Sequence, residues 1–353
     1  EIPLRLVGSE MCIRDSGEEE TVINLTVKPG MKQGWFGNAY GGYGSKDRYE
    51  GNAMVNRFVN NDQITFMGGA NNTNNMGFSD LASTMFSGMG GGGGRRGGFG
   101  AGSGITSSGN AGLNFSKEFK PDKLTLGGNT RYSHSDNDAR SKSDRQNILP
   151  GDSSSYDNSE AMSRTKSDNF GVDFRLEWKP DTMTQLIFRP SFSFSHSMND
   201  NFSDATTLDN ERDTVNTNKS SNYSESNGYN LNASIDFSRK LNNKGRVFSA
   251  TLSGGNSDSY SDGMNRSDIV YFNQTDALKN SIIDQRSRYD NKGFNYRAYV
   301  SWVEPIGHNN FIQATYSISQ RKQEALKNVY NQDADGIYLS LIHISEPTRR
   351  RGI

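Results

Sequence analysis

The 353-residue sequence is marked first by what it has little of. Cysteine occurs once, at Cys12, which leaves no disulfide to staple a fold. No run of about eighteen apolar residues occurs, so no transmembrane helix is encoded. Lys and Arg (39) almost balance Asp and Glu (40), which gives no electrostatic case for nucleic acid or an anionic lipid surface. Hydrophobic residues make up only 32%, where a soluble domain carries about 45–50% counting glycine. Proline is scarce, at 8. Against these shortages stand 38 glycines and an aromatic content of 10%, which is high for a disordered chain. Two classes remain: a disordered low-complexity chain, or a β protein whose strands bury only one face.

The two ends are set apart from the rest. Residues 1–16 (EIPLRLVGSEMCIRDS) and 340–353 (SLIHISEPTRRRGI) resemble translated sequencing-adapter read-through and are expected to lie outside the functional pattern. A signal peptide does not fit the first stretch, because Arg5, Glu10 and Arg14 interrupt any apolar region. Cys12 and the basic cluster Arg349, Arg350 and Arg351 therefore carry no functional weight.

Between the ends, apolar residues recur at every second position, the signature of a strand with one apolar face. Phe170, Val172, Phe174, Leu176 and Trp178 alternate with Asn169, Gly171, Asp173, Arg175 and Glu177. Residues 124–133, 229–238 and 293–302 repeat the pattern. The same reading gives eleven candidate strands between residues 34 and 320. Short connections (59–62, 118–122, 180–183, 240–245, 305–309) alternate with long ones (72–108, 135–167, 197–226, 257–291). Short turns on one side and long loops on the other are the mark of a transmembrane barrel. A soluble sandwich has no reason to place every long loop at one end.

Aromatic positions follow the same geometry. Trp178 and Trp302 end strands that run into short turns, Trp35 opens the first strand, and Phe115 and Phe237 also end strands there. These five are expected to form an aromatic girdle at one membrane rim, where the ring has one apolar and one wet side. The alternate face carries Arg57, Arg131, Asp173, Arg175, Glu177, Arg189, Asp236 and Arg297. An arginine facing lipid at mid-bilayer costs about 2–4 kcal/mol, so this face is expected to line a wet lumen.

The stretch 22–58 (VINLTVKPGMKQGWFGNAYGGYGSKDRYEGNAMVNRF), with ITFMGGANNTNNMGF (64–78), GNAGLNFSKEF (109–119) and YSHSDND (132–138), resembles the plug-to-barrel junction and early strands of an outer-membrane β-barrel family related to TonB-dependent receptors. The resemblance implies that residues 17–33 end a plug domain, with Val22–Val27 its last strand. It implies that Trp35 opens the barrel, and that 34–339 form the first half of a barrel of about 22 strands. It also implies a bacterial outer-membrane location, with lipid, the plug and TonB as partners.

Other motifs carry less. The tract GMGGGGGRRGGFGAGSG (88–104) holds two arginines and one phenylalanine and reads as a flexible surface loop, not a nucleic-acid segment. The Asp- and Asn-rich stretches around 136–138 and 199–204 match no Ca²⁺-loop spacing. His134, His196 and His308 show no paired metal spacing, and no nucleophile is set in a catalytic constellation.

The expectation is therefore an all-β chain, a partial antiparallel up-and-down transmembrane barrel left as an open curved sheet. It is expected to bind a nutrient at the cell surface and import it, without enzymatic activity, cofactor or metal. The ligand is an unspecified small molecule, glycan or peptide. Arg131, Arg175, Arg189 and Arg297, with Tyr260 and Tyr271 in a long loop, are the candidate ligand residues. The alternative is a structural or adhesive barrel with no transport role.

Overall fold

The structure is a computed structural model and describes residues 33–74, 104–148, 154–272, 280–307, 310–333 and 336–350. These residues form one antiparallel sheet of twelve strands, each hydrogen-bonded to its neighbours in chain order. The strands are β1 (Gln33–Tyr43), β2 (Tyr49–Val59), β3 (Asp62–Asn71), β4 (Ile105–Lys120), β5 (Leu124–Asn147) and β6 (Ser155–Trp178). They continue as β7 (Thr184–Leu208), β8 (Thr214–Lys240), β9 (Val247–Tyr271), β10 (Ser281–Pro305), β11 (Phe311–Gln332) and β12 (Tyr338–Arg350). The fold is all-β and up-and-down, and the sheet is open, with β1 and β12 at its edges. The arrangement is that of a partial β-barrel. The described residues include no helix long and apolar enough to cross a membrane, which leaves strand crossing untouched.

Three expectations are corrected. The long connections at 135–167, 197–226 and 257–291 are mostly strand: β5 to β10 run on past the apolar segments, which leaves only 148–154, 209–213 and 272–280 between them. Hydrophobic alternation stops where both faces meet water, but the backbone ladder does not need it to continue. The Asp- and Asn-rich stretches at 136–138 and 199–204 thus lie in strands, with successive residues on opposite faces. Second, the strand count is twelve, not eleven. Residues 338–350 pair with β11 from Arg321 to Gln332, so most of the C-terminal stretch expected to stand apart joins the sheet. The free edge of β11 offers unpaired N–H and C=O groups that an extended chain satisfies. Third, Arg57 pairs across from Trp35 and Ile64 and so shares the apolar face. It lies over the Trp35 ring, 5.4 Å from its centroid, next to the tight turn at Asn60 and Asn61. The plug strand at 22–27 and all of the glycine-rich tract except Gly104 lie outside the described residues.

Burial is inverted relative to a water-soluble sheet. Among the described residues the buried side chains are Met67, Asn52, Asn56, Thr65, Asn71, Asn114, Asn129 and Ser301, nearly all polar and all on one face. The opposite face is apolar and exposed: Trp35 at 70%, Phe66 at 53%, Leu252 at 54% and Phe294 at 51%. Cross-strand pairs keep the apolar face continuous, as in Leu126↔Leu176, Tyr132↔Phe170, Phe170↔Phe194, Phe194↔Tyr229 and Leu252↔Ala298. At Gly128 the absence of a side chain lets Phe115 and Phe174, from the two flanking strands, meet edge to face at 6.3 Å. A Cβ there would stand 2.7 Å from the Phe174 ring.

The apolar band is also bounded. In β6 it runs from Phe170 to Trp178, and the next residues on that face are Asp168, Lys166 and Arg164. In β5 it runs from Leu124 to Tyr132 and gives way to His134 and Asp136. Nine residues is the length of strand that crosses a bilayer, about 9–11.

Candidate functional site

The polar face carries the candidate ligand residues, and the register sets them in rows. Arg189, Ser234, Ser253 and Arg297 are successive cross-strand partners on β7, β8, β9 and β10. The flanking pairs Asp173↔Ser191 and Leu176↔Phe188 put Arg175 opposite Arg189 in that row. Like charges directly opposite on one face destabilise a sheet, so such a row requires counter-charge.

For three of the four arginines the sheet supplies it. Arg131 Nη1 donates to Asp173 at 2.6 Å and to Asn129 Oδ1 at 3.2 Å. Arg175 Nη2 donates to Glu177 at 3.2 Å, and Glu177 also accepts from Gln185 at 2.9 Å and pairs with Lys179 at 2.7 Å. Arg189 Nη1 donates to Asp236, which accepts from Thr251 at 2.8 Å through its other oxygen. Arg297 differs: among the described residues no ion pair involves it. The structure thus brings Arg175, Arg189 and Arg297 into one row, with Arg131 four residues further along, beside Gly171.

The two tyrosines do not join them. Tyr260 is a strand residue of β9 on the apolar face, with Arg288 over its ring at 5.4 Å. Tyr271 ends β9, eighteen residues beyond Ser253 of the arginine row and so about 60 Å along the strand. The loop reading failed because β9 extends through the whole stretch.

Trp35, Phe115, Trp178, Phe237 and Trp302 all stand on the apolar face towards the short-turn end. Phe248, which the sequence reading passed over, links two of them. Its ring lies 6.2 Å from Phe237 and 6.3 Å from Trp302. Arg246 caps the series, 6.0 Å from the Trp302 ring and bidentate on Glu304 at 2.7 and 2.5 Å.

Beyond the apolar band the two faces separate by charge. On the former apolar side, Arg164 and Lys166 meet Asp136, His134 meets Asp168, Lys292 meets Asp258 and Arg288 meets Asp262. The other side is uncharged on β7 to β10. On β7 it presents Ser191, Ser193, Ser195, Ser197, Asn199, Asn201 and Ser203, and β8, from Asn216 to Ser234, matches it with serine, asparagine and glycine alone. On β9 and β10 no charged side chain occurs on that side between Ser253 and Tyr271, or between Ser281 and Asn295. Serine against aspartate or lysine is the alternation that identifies these stretches as strands. A search for hydrophobic alternation misses it.

His134 Nδ1 donates to Asp168 Oδ1 (2.8 Å) and His196 Nδ1 to Asn227 Oδ1 (2.8 Å), both on the charged side. Among the described residues no group of three His, Cys, Asp or Glu is placed to hold a metal ion.

No protein-family model matches the chain, and no curated protein matches it. Among solved structures, the open form of the ferric-catecholate import receptor Fiu from E. coli K12 aligns over 91% of this chain and 76% of its own. The identity is 9% and the TM-score 0.19. A similarity that low assigns neither family nor ligand.

Proposed function

We propose that this chain is part of a bacterial outer-membrane β-barrel, related to TonB-dependent receptors, that binds a nutrient at the cell surface and imports it. The observation that carries the membrane reading is the inverted burial: an exposed apolar face of bilayer length opposite a polar face that holds nearly all the buried side chains. In water such a face costs about 25 cal/mol for each Å² left wet, and lipid removes that cost. The five rim aromatics with Phe248 then form the girdle, and Arg57 and Arg246 reach from it to the headgroups. The polar face lines the lumen, where a plug and a ligand meet the arginine row, and TonB supplies the energy through the plug. The role is binding and passage, not catalysis.

A nitroxide scan of residues 169–178 in liposomes, on a Cys12→Ser background, tests the membrane reading. Even-numbered positions should be accessible to oxygen and odd-numbered ones to a water-soluble nickel chelate. Uniform accessibility to nickel would overturn it. Uptake by a deletion strain, measured across candidate nutrients, separates import from a purely structural barrel: unchanged uptake for all of them favours the latter.

A further inference from the structure

The exception in the arginine row has a neighbour. Arg321 of β11 pairs across from Asn295, and Arg297 pairs across from Ser319, so the two arginines are diagonal neighbours on the polar face. Diagonal cross-strand residues stand about 7–8 Å apart, within reach of one small ligand. Arg321 donates to Gln323 Oε1 at 3.2 Å, a neutral partner. No ion pair engages either arginine among the described residues, and no Asp or Glu lies on the polar face of β9, β10 or β11 there; on β12 the register places Arg350 opposite Arg321 and Glu346 opposite Ala325. Asp236, two strands from Arg297, is already held by Arg189 and Thr251.

Around them the polar sides of β9 and β10 supply hydroxyls and carboxamides and no carboxylate. Asn232 and Asn295 lean over Gly255 from both sides: a Cβ on that glycine would lie 2.3 Å from one carboxamide oxygen and 2.9 Å from the other. Ser253 and Ser319 flank Arg297 in its own row. Lys327 stands further along the same face of β11. In the row and beside it Arg131, Arg175 and Arg189 are neutralised by Asp173, Glu177 and Asp236, whereas Arg297 and Arg321 have no ion pair among the described residues. From the hairpin turns inward to Arg297, the polar sides of β9 and β10 present no carboxylate that would repel an anion.

We propose that Arg297 and Arg321, with Asn295 between them, bind an oxyanion group, carboxylate or phosphate, of the solute that enters along the uncharged wall. This rests on the lumen reading of the polar face and adds the charge class of the ligand. Guanidinium suits the task because its planar fork matches the paired oxygens of either group.

The test is calorimetric titration of the whole chain in detergent micelles with inorganic phosphate and with citrate, and with maltose as a neutral probe. Saturable binding of either anion, absent for maltose, is expected. The anion that binds tells phosphate from carboxylate. Arg297→Gln and Arg321→Gln should each weaken it at least about tenfold, while Arg288→Gln, on the opposite face, should leave it unchanged. Arg297→Lys keeps the charge without the fork and should fall between wild type and Arg297→Gln. If Arg297→Gln loses its β circular dichroism, Arg321→Gln and Arg297→Lys carry the test. No saturable binding, or equal binding by wild type and both glutamine variants, overturns the proposal. The nitroxide scan reports on the membrane face independently, so failure of one reading is distinguishable from failure of the other.

Discussion

Arg131 lies flat across Gly171, its cross-strand partner on β6, and from that position reaches Asp173. A methyl group added to Gly171 would stand 3.1 Å from three guanidinium atoms. The side chain that must yield is flexible, so Gly171→Ala should fold and should lift Arg131 off Asp173. An ion pair of this exposure contributes about 0.5–1 kcal/mol. Asp173→Asn should therefore cost that much in the parent and close to nothing on the Gly171→Ala background. Urea unfolding in liposomes measures both. Equal costs in the two backgrounds would show that glycine does not set the pair.

Two adjacent residues should respond oppositely to one substitution. Leu252 is on the apolar face, paired with Ile235 and Ala298, and Ser253 is on the polar face in the arginine row. Leu252→Arg should destabilise the protein in bilayers by about 2–4 kcal/mol, and Ser253→Arg by no more than about 1 kcal/mol. Similar costs at the two positions would remove the distinction between lipid and lumen.

Acid should loosen the β5–β6 extension in a defined window. Arg164 donates to both oxygens of Asp136, at 3.0 and 2.7 Å, and Lys166 stands 3.8 Å away. The Arg164 hydrogen bonds hold the Asp136 carboxyl below the usual carboxylate range. A carboxyl lowered in the folded state stabilises fully above its unfolded value, about 3.9, and loses that contribution as pH falls through the lower folded value. Amide protection factors beyond Tyr132 and Phe170 should stay constant down to about pH 5 and fall only below about 4. Asp136→Asn should raise exchange at neutral pH and flatten the acid response. An acid response unchanged by the substitution would assign it to another group.

Two free edges predict association. β1 has all eleven residues exposed and, among the described residues, pairs on one side only. In lipid each unpaired backbone group costs several kcal/mol. The chain should form crosslinkable dimers and larger species in detergent, and Ala39→Lys should reduce them, as charge on an edge strand does. A monodisperse parent protein by light scattering would contradict this.

Much of this fold is legible in the sequence where one face of a strand is apolar and the other polar. Phe170 to Trp178 and their partners Leu124 to Tyr132 could be assigned to faces because every second residue must be apolar there. The assignment fails at Arg57, since β2 is apolar on both sides: Val55 and Val59 share its face, Met54 and Phe58 the other. It fails again beyond the band, where neither face needs to be apolar and Tyr260 therefore reads as loop. Of the arginine row, the residue types and their face were readable, because alternation fixes face. Their alignment was not, because register depends on which residues turn at 179–183 and 241–246. Arg321 escaped notice because β11 carries arginine and lysine in succession, and only pairing separates Arg321 from Lys322.

Under the proposed function, the continuation of the strands beyond the apolar band also determines where a solute first meets the protein. β6 runs from Phe170 back to Ser155, about 50 Å along the strand and roughly 35 Å in height at the tilt usual for barrels. In the proposed orientation the mouth stands well above the lipid headgroups, among the sugar chains of the cell surface. Capture then begins in the open medium on a surface of hydroxyls and amides, and the bilayer plays no part until the solute is already deep inside.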